Sequence, residues 1–354
     1  MALRKPGLLL FCCFVLLAGY ATGAPAIQAP SGTPSPAIAG SDDPKRGFED
    51  VKSMLERGDF DAAISRLTDL KNTQPRLSGV QHEFGVAYYK KGDYQQAIAS
   101  LKQALDEDPA DREATQLLGL SYYLSGRPAE AIPYLEKVQS WFPRANVDAA
   151  YILGIAYIQT KDYPHARTAF ARMFDVPADS ASAYLFTARM LLRQEFDPVA
   201  EEYAQKAVAL DPKLPLAHYL LGELHLYKSR VPEAIAEFEK EIALNPANAA
   251  TYYKLADAYS RVQKYDEAER LLQRSIWLDA NSTGPYILMG KVLQKKGELE
   301  LAVRALQRAI SMDANNPISH HLLGQTYRDM GKKEEADAEL KLAEQLRVRQ
   351  DARP

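Results

Sequence analysis

The residues here best able to do acid–base or metal chemistry are six histidines. His320 and His321 are adjacent, and on a helix neighbours point about 100° apart, so the pair cannot readily share one metal ion. His218 and His225 stand seven places apart on one helical face. A nucleophile or an organised ligand set would have to accompany them, and none does. Cys12 and Cys13, the two cysteines, lie together near the start. The chain contains no phosphate-binding glycine loop, no HExxH, no GxSxG and no Cys/His metal spacing. The acidic clusters YDEAER and KKEEADAEL read as solvated helix faces. These residues point away from an enzyme, and no metal, cofactor or catalytic residue is expected.

The opening MALRKPGLLLFCCFVLLAGYATGAPA has a basic start, an apolar run from Gly7 to Gly19 and a small-residue site at Ala24-Pro25-Ala26. It reads as an export leader, residues 1–26, cleaved after Ala26. The run is short for a membrane span. An uncleaved anchor is the alternative, and Tyr20 stands where a lipidated cysteine would have to be. Export predicts a periplasmic or secreted protein without disulfides, because both cysteines leave with the leader. Residues 27–43, rich in Pro, Ser and Ala, read as a disordered spacer. The formal charge is −3, and loss of Arg4 and Lys5 makes it more negative still, the wrong sign for a phosphate-binding surface.

From Pro44 onward one pattern returns every 34 residues at 44, 78 and 112, then after one inserted residue at 147, 181, 215, 249, 283 and 317. These nine units fill residues 44–350 and leave 351–354 as a tail. Position 20 is alanine in every unit, from Ala63 to Ala336. Position 8 is Gly or Ala except for Val51, and position 24 is mostly Leu or Phe. Small residues at positions 8 and 20 let two helices approach closely, with Tyr88, Tyr122, Tyr157, Tyr259 and Tyr327 beside the contact. Gly92, Gly126, Gly297 and Gly331 suit a left-handed turn between the helices. Pro128, Pro164, Pro198 and Pro232 suit the first turn of the second helix. Asp50 and Val51 in the first unit read as a solvated terminal cap, and His218 and His225 take the packing positions 4 and 11. Trp141, at position 30 of its unit, reads as packing. The insertion at Pro143-Arg144-Ala145-Asn146, with Pro177 one place early, predicts a change of curvature or a hinge.

The register resembles the tetratricopeptide repeat family, with small residues at 8, 20 and 27, Tyr near 11 and Pro near 32 of each helix pair. Its departures are local: Leu70, Met173 and Glu241 stand at position 27. The resemblance covers residues 44–350 and implies an all-α, right-handed solenoid of about nine stacked hairpins, typical here of an exported, bacterial-type protein. It also implies that first helices line a concave groove through positions 2, 5, 6, 9, 12 and 13. Those positions are apolar and aromatic in the middle units and charged in the later ones, where Tyr253, Lys254, Asp257 and Arg261 stand.

The expected partner-binding residues are Tyr123, Tyr151, Ile155, Arg189, Arg193, Tyr219, Leu226 and Tyr227. The expected function is a non-catalytic scaffold that holds a protein or peptide segment. The Lys/Asn/Arg carboxylate clamp of chaperone-tail binders and the asparagine ladder of the sugar-transferase superhelix do not occur, and acidity disfavours nucleic acid. Two alternatives stand beside this reading. One is an accessory subunit of a cell-envelope secretion, pilus or exopolysaccharide export machine, docked by its outer surface, which would meet a membrane only through that complex or an uncleaved leader. The other is a hydrolase or transferase using His218 or His225.

Overall fold

The computed structural model describes residues 44–141, 147–194 and 197–352. The expected leader, the spacer, Cys12, Cys13 and the joint at 143–146 lie outside them. Among the described residues eighteen helices follow one another. They are α1 (Pro44–Arg57), α2 (Phe60–Thr73), α3 (Val80–Lys91), α4 (Tyr94–Glu107), α5 (Arg112–Leu124), α6 (Pro128–Trp141), α7 (Val147–Gln159), α8 (Tyr163–Met173) and α9 (Ala181–Arg193). Then come α10 (Asp197–Leu210), α11 (Ala217–Tyr227), α12 (Val231–Leu244), α13 (Ala249–Arg261), α14 (Tyr265–Leu278), α15 (Thr283–Lys296), α16 (Leu299–Met312), α17 (Pro317–Asp329) and α18 (Lys333–Asp351). No helix of the described residues is long and apolar enough to cross a membrane.

Local chemistry sets the helix starts. Asp93, Asp111, Asp162, Ser180, Asn248 and Asn316 each cap a helix by accepting a backbone N–H of its first turn. Among the described residues the link inside each hairpin is a left-handed residue at position 15. It is glycine at Gly92 (φ 84°), but Lys161, Ser229 and Gln263 take the same turn. The close helix pair therefore dictates the turn, and glycine only makes it cheaper.

Each odd-numbered helix packs on the even-numbered helix after it, giving nine hairpins, and each even-numbered helix packs on the next odd-numbered one. Odd-numbered helices also meet across hairpins, α9 with α11 and α11 with α13 among them. That crowding puts the first helices on the inner side of the stack's curve. The alanines of position 20 sit where the helices touch: Ala131 is 0% exposed, and Ala336, the least buried of the nine, only 1%. Ala131→Leu should therefore cost about 1–3 kcal/mol through overpacking. A urea unfolding midpoint unchanged from wild type would put the register of the repeat in error.

The first hairpin departs from the expected cap. Asp50 is exposed, but Val51 is fully buried and belongs to the core with Leu55, Leu67 and Leu70. The close approach has moved one turn along α1, to Gly47, where a Cβ would stand 2.7 Å from a Leu70 methyl. Leucine at position 27 fills the space that a glycine at position 4 leaves, so position 8 can carry a valine.

A second departure shapes the middle of the stack. The early Pro177 leaves α8 at 11 residues, against 14 in α6 and α12. Phe174 falls just beyond the helix end and is 53% exposed. The third is Glu241, which is 0% exposed in α12. Its carboxylate accepts the N–H of Leu216 (3.0 Å) and of Tyr219 (3.3 Å), so it closes the N-terminus of α11 from beneath.

Candidate binding groove and side-chain pocket

A run of aromatic rings links the inner face of the central hairpins to the core, where Phe170 and Phe238 are fully buried. Tyr151 lies 6.3 Å from Phe170, Phe170 lies 5.2 Å from Phe186, and Phe186 lies 4.8 Å from Phe174, the last two edge to face. Tyr219 leans on Phe238 at 5.9 Å. Aromatic pairs at these separations hold one another's orientation and leave a rigid apolar surface. Burial pushes the Tyr123 hydroxyl pKa upward, and Tyr151 beside it adds to the shift. Burial, with Glu223 adjacent, pushes the Tyr219 hydroxyl up strongly, which keeps it protonated as a donor to Glu223 at 3.2 Å.

Six of the eight expected binding residues keep surface exposure. Tyr123, Tyr151 and Tyr219 are half-buried, Arg189 and Arg193 are exposed, and Tyr227 is 66% exposed. Ile155 and Leu226 are corrected. They are 2% and 6% exposed and sit in the core, so neither presents a side chain to a ligand. Ile158, also at an expected groove position, is 0% exposed. Ile155 at position 9 and Ile158 and Leu226 at position 12 turn into the core, whereas Tyr123 at position 12 and Arg189 and Glu223 at position 9 stay accessible, so the groove is set residue by residue and not by position alone.

Those positions converge on a hollow of about 220 Å³ between α9 and α11. Its wall is Phe174, Leu185, Phe186, Leu216, Tyr219 and Leu220. Ser182, Arg189 and Glu223 form the rim. Glu223 is already satisfied, 2.9 Å from Lys254 and bonded by Tyr219. Arg189 and Arg193 have no ion-pair partner among the described residues, and they stand one turn apart on the same helix face. Sequence reasoning missed Phe174, Ser182, Phe186, Leu216, Leu220 and Glu223. All but Phe174 occupy positions 2, 6 or 9, so the register could have found them. Phe174 becomes available only because α8 is short.

His218 and His320 each bridge a carboxylate and a backbone carbonyl. His218 Nδ1 lies 2.6 Å from the Glu237 carboxylate and its Nε2 3.2 Å from the Pro212 carbonyl oxygen. His320 repeats this with Glu339 (2.6 Å) and Ala314 (3.1 Å). In the two hairpins between them Tyr252 and Tyr286 donate a hydroxyl to the matching carbonyl instead. Position 4 is thus a bolt to the preceding loop. Burial, then Arg230, pulls the His225 pKa down, while Glu201 below it is engaged by Lys228 at 2.7 Å and Arg230 at 2.6 Å. Trp141 is partly exposed, with Arg112 and Lys137 over its ring. Among the described residues no three of His, Cys, Asp and Glu converge on a metal-sized site.

One tetratricopeptide repeat family profile matches residues 82–145, 187–249 and 219–285. Two more tetratricopeptide repeat profiles match 122–190 and 318–347, and one described as TPR repeat matches 290–331. The sequence has no match among curated proteins. Among solved structures it is similar to the Cut9–Hcn1 hetero-tetramer of the APC/C, at 20% identity over 79% of this chain and TM-score 0.45. The chain spans only 55% of the length of that protein. It is similar also to YrrB, described as a TPR protein with an unusual peptide-binding site, at 24% identity over 48% of this chain and 87% of that one, TM-score 0.42. A third is MamA of Desulfovibrio magneticus, at 20% identity, 49% and 98% coverage and TM-score 0.46. With the profile matches running almost unbroken from residue 82 to 347, over the hairpins whose small residues, turns and buried alanines carry the repeat, the chain belongs to the tetratricopeptide repeat family.

Proposed function

We propose that the protein is an exported, non-catalytic scaffold that holds a segment of another protein on the inner face of its central hairpins. The observation that carries this reading is the apolar hollow walled by Phe174, Phe186 and Tyr219, with Arg189 at its rim and Arg193 one turn along, neither arginine having an ion-pair partner among the described residues. Isolated exposed apolar residues are ordinary, but half-exposed aromatic side chains gathered around an open apolar hollow support a docking surface. Rings of this kind bury about 150–250 Å² each, so four or five of them supply most of the roughly 800 Å² per side of a standard interface.

The test is capture of the partner from the compartment in which the protein resides. Changing Tyr151 and Tyr219 together to Ala should weaken capture at least about tenfold, or 1.4 kcal/mol, with helix content unchanged. Full capture by a folded double variant would move the binding site off the groove. Loss of function from changes on the outer faces of the even-numbered helices would then favour docking to an envelope machine.

A further inference from the structure

Resting on the groove reading, we propose that the hollow between α9 and α11 is a socket for one bulky apolar side chain of the bound segment, and that Arg189 and Arg193 select an acidic residue next to it. The recognised element is then a short apolar–acidic motif rather than a long apolar surface.

Size comes first. Sites for small molecules and cofactors enclose about 300–1,000 Å³. At about 220 Å³ and open on one side, the hollow suits a single side chain such as Phe, Leu or Met. Charge comes second. Glu223 at the rim is held by Lys254 and Tyr219, so the unmatched charge there, among the described residues, is that of Arg189. A carboxylate arriving beside the apolar anchor meets a guanidinium able to take it in a two-pronged bond, whereas a basic residue there is repelled.

The third observation is how the socket wall is held. Leu216 has φ 68°, a left-handed conformation costly for a leucine. At the matching place in the second hairpin the residue is Gly79, with φ 85°, and its N–H is likewise met by a carboxylate, that of Glu107 at 3.3 Å. The backbone bend therefore recurs, but only at residue 216 does it carry a large side chain, and that side chain lines the hollow. Fully buried Glu241 fixes the bend from below. Glycine would make the same turn without strain, so the strained leucine is what gives the hollow its wall.

The test uses the full chain and a degenerate peptide array with one position fixed as each amino acid in turn. The wild type should prefer Phe, Leu or Met with Asp or Glu within two places. Arg189→Glu should reverse the acidic preference to Lys or Arg. Ser182→Trp, which fills the hollow from its exposed rim, should abolish the apolar preference while helix content stays the same. Leu216→Gly should weaken the preferred peptides about tenfold while the unfolding midpoint holds or rises, an effect opposite to that of a core residue. Two failures are distinguishable. If peptides are retained and lost with Tyr123→Ala/Tyr151→Ala, yet show no apolar–acidic preference or keep it in Arg189→Glu, the socket is wrong and the groove stands. If no peptide is retained, or retention ignores both the tyrosine pair and Ser182→Trp, the groove reading falls and the socket with it.

Discussion

Phe238→Ala is expected to remove about 3–5 kcal/mol from the stability of the central hairpins. The ring is 0% exposed in α12, packed with Leu226, Ala234, Leu255 and Ala258, and Tyr219 leans on it from the groove. Its partner across the helix pair is Gly222, where a Cβ would stand 2.5 Å from the ring. Gly222→Ala alone should therefore cost about 1–3 kcal/mol by overpacking. The double variant should lose less than the sum, because the methyl enters the space the ring vacates. The hairpin at 181 already uses that solution, with Ala188 facing Ala204, both fully buried. Because stacked repeats lose stability locally, the readout is hydrogen exchange alongside urea unfolding: protection should fall around residues 215–258 and persist in 44–107. Simple additivity of the two changes would show that glycine and phenylalanine are not a packing pair.

Glu241→Ala should cost about 2–4 kcal/mol, the sum expected for two charge-assisted hydrogen bonds whose donors are left buried. The carboxylate touches backbone only, at Leu216 and Tyr219. Glu241→Gln keeps one acceptor oxygen and should recover part of the loss. Since the same two residues line the hollow, Glu241→Ala should also weaken partner capture in samples shown by circular dichroism to be folded. Unchanged stability would mean that water replaces the carboxylate without cost and that the left-handed Leu216 holds itself.

Much of this architecture is written in the spacing of small residues. Ala131 and its eight counterparts are buried where the period puts them, because two helices can touch only where side chains are small. The turns were legible too, since Gly92 and its counterparts take the left-handed conformation. What the period hides is substitution between positions. Val51 enters the core because Gly47 and Leu70 exchange the usual roles of large and small residues. Glu241 breaks the small-residue rule at position 27 because it bonds to backbone, an interaction no apolar pattern records. The groove was half legible. Tyr123, Tyr151, Tyr219 and the arginines are accessible, but Ile155 and Leu226 are buried in the core, Leu226 against Leu255 and Ala258 of α13. Phe174 could not be found by position at all, since its exposure follows from the shortening of α8.

On the proposed function the partner sits on the inner face of the central hairpins, not on the outer face. Its most direct test places a photo-activated crosslinking residue at Ser182 or Arg193 on the inner face, and at Gln273 or Trp277 on α14, in the full chain in its own cells. Trp277 is a fair control because it is 72% exposed and apolar. The same adduct should form from both inner positions, disappear when Tyr151 and Tyr219 are alanine, and not form from α14. An adduct that forms from Gln273 or Trp277 and survives the tyrosine changes would place the partner on the outer face instead.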